Sequence, residues 1–104
     1  MKSKRSRACE IRPKVKEAVR RRDAGRCIIC RQPGLPNAHY IPRSQGGLGV
    51  EQNVVTLCPS CHIAYDNGHK RREYKELIRN YLMSRYRNWN EKDLIYDKWK
   101  EVGG

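Results

Sequence analysis

Four cysteines fall in two matched pairs, Cys27-Ile-Ile-Cys30 and Cys58-Pro-Ser-Cys61, with 27 residues between them. A Cys-x2-Cys turn can aim both sulfurs at one point, and four thiolates suit a tetrahedral Zn2+. With every position filled by protein, such a site is structural. A redox dithiol accounts for one Cys-x-x-Cys but not for two, and no thioredoxin-like βαβ pattern surrounds them. Cys9 stands outside the pairs and is expected to be a free thiol. The chain has 104 residues, 38% hydrophobic and 33% charged, so it builds one small domain with a thin core. Zinc, typically ~10–16 kcal/mol of binding free energy in small zinc modules, would supply the missing stability.

Charge narrows the partner. Residues 1–26 hold 11 basic and 3 acidic side chains, residues 27–68 hold 2 of each, and residues 69–104 hold 10 and 6. Two basic flanks therefore enclose a neutral centre, a distribution that favours a polyanion. No run of 18 apolar residues exists, which speaks against a membrane span. The basic N-terminus lacks an apolar stretch behind it, so a cytoplasmic location is expected.

Residues 1–10 are mostly Lys, Arg and Ser, and read as a disordered arm able to order on phosphates. From Ile11, helical spacing runs through Val15, Ala18 and Val19, with Pro13 in the first turn and Asp23-Ala-Gly25 as the stop. Arg20, Arg21 and Arg22 close this helix, where they suit its dipole and are candidates to face phosphate. A short strand is expected at Ala38–Ile41, a flexible loop at Ser44–Gly49 and a second strand at Val54–Leu57. A helix then starts at Cys58 and carries His62 to Asp66, and Asn67-Gly68 ends it. His69 is expected on the surface. Tyr74, Leu77, Ile78, Tyr81, Leu82 and Tyr86 mark one face of a four-turn helix, with its tyrosines packing in the core. A last helix is predicted from Asn90, with Leu94, Ile95, Trp99 and Val102 on its apolar face.

The stretch Cys27-Ile-Ile-Cys30, then Ala38-His-Tyr-Ile-Pro-Arg-Ser-Gln-Gly-Gly47, then Asn53-Val-Val-Thr-Leu-Cys-Pro-Ser-Cys-His62 resembles the HNH homing-type endonucleases, in the form found among bacteriophage and prophage proteins. The resemblance covers about residues 23–68. It implies an α+β fold with a small ββα-metal core and a four-cysteine zinc site. An N-terminal helix and two C-terminal helices flank that core. The division expected is 1–10 arm, 11–68 nuclease core and 69–104 helical extension. The implied activity is metal-dependent hydrolysis of DNA, leaving 5′-phosphate and 3′-hydroxyl ends. His39 would be the general base, Asn53 would fix its geometry and His62 would hold a catalytic Mg2+ or Mn2+. Duplex DNA is the implied substrate, and phage relatives act beside the packaging terminase.

The residues agree with that chemistry. An imidazole accepts a proton near neutral pH, and Arg43 could balance phosphate charge. One position departs from the pattern. Ala38 stands where many such enzymes carry a metal-ligating Asp or His. Asp66, four residues after His62 on the same helix face, is the candidate replacement. The alternative is a non-catalytic zinc module that binds nucleic acid, a degenerate HNH domain.

Overall fold

A computed structural model describes residues 3–68 and 70–97. Four helices and two strands are ordered α1 (Lys4–Cys9), α2 (Pro13–Asp23), β1 (Leu35–His39), β2 (Val54–Leu57), α3 (Pro59–Asp66) and α4 (Arg71–Arg85). The strands pair antiparallel, with Leu35 opposite Leu57, Ala38 opposite Val55 and His39 opposite Val54, and a register shift between the first two pairs. The fold is α+β: α3 leaves β2 directly, and β1, β2 and α3 form the ββα unit.

The helix ends follow from local chemistry. Pro13 and Pro59 occupy first-turn positions, where no N–H is needed. Ala24 takes a left-handed conformation and its N–H closes on the carbonyls of Arg20 and Arg21, ending α2 at the expected place. Val55, Leu57, Tyr40, Ile78, Leu82 and Leu94 form the centre of the core, each at most 3% exposed. Ile78 and Leu82 bring α4 onto it, while Leu77, expected on that face, is 46% exposed.

Three expectations are corrected. The arm at 1–10 is not disordered over its described part. Ser3 caps a helical turn by accepting from the Ser6 N–H, and Cys9 at the end of α1 is 2% exposed. Contacts across the chain hold it: Gly49 N–H donates to the Ala8 carbonyl at 3.0 Å, and Arg5 donates to the Ser44 carbonyl at 3.0 Å. The first strand is shifted, ending at His39 rather than at Ile41. The last helix is, among the described residues, a single 3-10 turn at Glu91–Leu94. Asn90 caps it through the Lys92 N–H, but Ile95 is extended and pairs with Gly47. Trp99 and Val102, like His69 and residues 1–2, lie outside the described residues.

The glycine loop is packed tightly. A Cβ on Gly47 would lie 1.7 Å from the Ile41 carbonyl oxygen, and one on Gly49 would lie 2.1 Å from that of Glu10. These glycines admit the protein's own backbone. No described helix is long and apolar enough to cross a membrane.

Candidate metal centres and nuclease site

The sulfurs of Cys27, Cys30, Cys58 and Cys61 all lie within 4.8 Å of one another. Ligand bonds near ~2.3 Å on a tetrahedron put sulfurs roughly 3.8 Å apart, so the set fits zinc. The knuckle at 27–30 is shaped by Cys27 N–H to Gln32 and Arg31 N–H to Cys27, with Arg31 at φ 70°. The second pair opens α3, where Cys58 is the N-cap and its sulfur accepts from the Cys61 N–H. Burial opposes ionisation of Cys27. The N–H groups around the knuckle outweigh it and bring the thiol to about 7. Burial and the neighbouring thiols hold Cys61 well above its ordinary value. Four such thiols do not ionise together without a cation, which is the chemistry of a metal site.

His39 ends β1 and is half-buried. Its Nε2 lies 2.9 Å from the Cys9 carbonyl oxygen. A carbonyl only accepts, so Nε2 carries the proton and Nδ1 is left with its lone pair. Burial lowers the His39 pKa below its ordinary value. The Cys9 carbonyl works against this, and the charges of Arg43 and His62 add to it. The imidazole is therefore neutral at pH 7 and able to accept a proton. It lines a depression of about 350 Å³ together with Glu10, Lys16, Asn37 and Arg43.

Asn53 is fully buried behind this face. Its Oδ1 accepts from the Ile41 N–H at 2.8 Å, and its Nδ2 donates to the carbonyls of Ile41 and Leu48 at 3.2 and 2.9 Å. It stitches the 41–48 loop to the start of β2. On α3, His62 Nε2 and Asp66 Oδ2 are 3.4 Å apart. That separation lets one cation take both as ligands. Ala38 is fully buried in the core and offers none. Among the described residues, the four cysteines are the one group of three or more candidate ligands. A catalytic cation at His62 and Asp66 would complete its shell with water and substrate oxygens.

The expected DNA-binding arginines separate. Arg43 is exposed beside His39. Arg21 is exposed, and Arg20 pairs with Glu17 at 2.8 Å on the surface. Arg22 is turned inward and is corrected. Its guanidinium forks onto Asp23 at 2.7 and 3.0 Å and donates to the carbonyls of Glu51 and Val54 and to the Tyr86 hydroxyl. Asp23 in turn accepts from the Thr56 N–H and the Tyr81 hydroxyl. Burial disfavours the Arg22 charge, and Asp23 and Tyr86 more than restore it. Sequence reasoning missed this brace, and also Trp89, whose Nε1 donates to the Gln52 carbonyl at 2.8 Å and whose ring meets Tyr40 edge-on. The adjacent Arg22-Asp23 pair at a helix end was the available signal.

A two-stranded hairpin followed by a helix carries a buried asparagine brace, a histidine with one free nitrogen and a four-cysteine cluster fit for a metal, which is the ββα arrangement expected of an HNH domain. The profile of the HNH endonuclease family matches residues 27–68. A protein named Anaredoxin from Nostoc sp. (strain PCC 7120 / SAG 25.82 / UTEX 2576) is 39% identical over 57 residues, an alignment covering 53% of this chain and 75% of that protein. Residues 27–68 are thus an HNH endonuclease-family domain.

Proposed function

We propose that the chain is a metal-dependent endonuclease that hydrolyses DNA phosphodiester bonds with His39 as general base. The observation that carries this is the His39 ring. Nε2 is held by the Cys9 carbonyl, and Nδ1 of a neutral imidazole is left to accept. Nδ1 takes the proton of the attacking water. Arg43 neutralises phosphate charge, and Asn53 keeps the loop between them in register. His62 and Asp66 would hold a divalent cation, Mg2+ or Mn2+, which when bound supplies Lewis acidity at the phosphate and charge balance at the leaving oxygen. Cleavage of this kind leaves 5′-phosphate and 3′-hydroxyl ends. Work on phage DNA beside a terminase, inside a bacterial cytoplasm, belongs to the same proposal and rests on the resemblance.

Ala38 favours a second reading, a zinc module that binds nucleic acid without cutting it. Supercoiled plasmid separates the two. Zinc-loaded protein is incubated with Mg2+, with Mn2+ or with neither, beside His39→Ala. Nicking that requires the divalent ion, vanishes in the variant and leaves ends that DNA ligase reseals is expected. Folded protein that binds plasmid and never nicks it would sink the enzyme and establish the module.

A further inference from the structure

We infer that the groove between α4 and Tyr40 is a second phosphate-binding site, one that holds the DNA backbone at a distance from the scissile bond. The identity of the polymer rests on the nuclease reading, and the site itself rests on the following geometry. The groove has a volume of about 650 Å³ and is lined by Tyr40, Gly68, Arg71, Arg72, Lys75 and Arg79. Two carboxylates, Glu76 and Glu91, also reach it. Glu91 is already committed, accepting from the Tyr40 hydroxyl at 2.6 Å and from Arg79 at 2.8 Å. The Arg79–Glu91 pair thus neutralises itself inside the wall, which leaves Arg71, Arg72 and Lys75 against Glu76.

The cations are pre-positioned. The Arg71 guanidinium lies 5.4 Å from the centre of the Tyr65 ring, and the Lys75 ammonium lies 5.6 Å from that of Tyr40. Both rings are anchored, since the Tyr65 hydroxyl donates to the Tyr40 main-chain carbonyl at 2.7 Å and the Tyr40 hydroxyl donates to Glu91. A long side chain held over an aromatic face has less freedom to lose when an anion arrives. Arg72 is exposed and lines the same opening.

The helix dipole opposes this placement. Arg71 and Arg72 stand in the first turn of α4, where the helix dipole repels cations, and Lys70 at the cap provides no side-chain acceptor. An anion in the groove would turn this repulsion into attraction. The groove also adjoins the end of the helix that carries part of the candidate site. Gly68 closes the end of α3, and α3 carries His62 and Asp66.

The test is binding without cleavage. Zinc-loaded full chain is titrated against a labelled DNA duplex by fluorescence anisotropy, with no divalent cation added, across ~50 to ~200 mM salt. Arg72→Ala with Lys75→Ala is compared with Arg85→Ala with Lys92→Ala, which removes the same charge from exposed positions elsewhere. The groove pair is expected to bind about tenfold or more weakly, with a log–log salt slope shallower by about 2. The control pair is expected to keep most of its affinity. Equal losses in both pairs, an unchanged slope in the groove pair, or a loss on an RNA duplex and not on DNA would overturn the site. Arg72→Glu, with circular dichroism to confirm folding, is expected to weaken binding further, and wild-type affinity in it would also overturn the site. If wild-type protein never nicks plasmid but the groove pair behaves as expected, the nuclease reading falls and the groove stands. Nicking with no groove effect gives the reverse.

Discussion

At His39 a single hydrogen bond fixes both the tautomer and the direction of the ring, and its consequences are testable at that residue. Burial together with Arg43 and His62 holds the imidazole below its ordinary pKa. A base works only when unprotonated, so the cleavage rate should rise with pH and level off at a midpoint below ~6.5. Removing the neighbouring charge in Arg43→Ala should move that midpoint upward, read from kcat/KM between pH 5 and 8. A midpoint that stays put would show that Arg43 does not act on the ring. Arg22 makes the opposite kind of prediction. Arg22→Ala leaves Asp23 buried and unpaired, so it should cost roughly 3–5 kcal/mol in urea denaturation of zinc-loaded protein. Its DNA affinity, measured on the folded fraction, should stay near wild type. Thr56 is a third case. Its hydroxyl oxygen is buried with no hydrogen-bond partner, so Thr56→Val should be neutral or stabilising by about 1 kcal/mol in the same assay. The four-cysteine cluster was legible in the sequence because its spacing carries that chemistry, whereas His39, Asn53 and His62 were singled out through the family resemblance. Arg22 was not, because a helix-closing arginine reads the same whether it faces water or an aspartate. The partner groups on Glu51, Val54 and Tyr86 are 29 to 64 residues away.

At the scale of elements, α1 is the part the sequence hid most completely. Its six residues show no apolar period, and what orders them lies across the chain, in the backbone of Gly49 and the Ser44 carbonyl. Strand β2, the start of α3 and the length of α4 were legible because each is written locally, in a β-branched run, a Pro at a first turn and a 3.6 period. The last predicted helix failed at Ile95 for the same reason that α1 was missed. A pairing with Gly47 overrides the local pattern. The docking of α1 predicts the effect of one methyl group. In Gly49→Ala the new Cβ meets the Glu10 carbonyl, so the end of α1 must move and Cys9 releases the His39 ring. Expected are a loss of about 1–3 kcal/mol in stability, a zinc content of one, and a fall in nicking well beyond the fall in DNA affinity. Heteronuclear NMR should find the His39 ring divided between tautomers. A ring still protonated only at Nε2 would show that α1 is not what holds it.

For the whole molecule, a zinc contribution of ~10–16 kcal/mol would be comparable with the entire net stability of a typical domain, about 5–15 kcal/mol. The two cysteine pairs flank the hairpin in sequence, one before β1 and one after β2, and meet at its open end where Leu35 faces Leu57, so a metal held there would close the unit that carries the candidate site. Strong chelation should therefore abolish the helical circular dichroism and the near-ultraviolet signal together, and zinc should restore both. Native spectra in metal-free protein would mean that the core suffices. Alkylation of the thiols should follow the same course, slow in the zinc form and complete for all five cysteines after chelation, Cys9 included, since its burial depends on the docked α1.

Cys61 and His62 are neighbours on α3, about 100° apart around its axis. Whatever sets the roll of that helix therefore aims the imidazole. Side chains ride at a radius of about 5–6 Å, so a roll of about 10° displaces the ring by about 1 Å. A zinc tetrahedron gripping α3 at its first turn would work as the detent on a dial. Its bond lengths and angles would be transmitted as a bearing for His62. Under the proposed function, two metal sites that share no ligand would in this way be mechanically geared, and exchanging the structural ion for one of different radius would turn the other site without touching it.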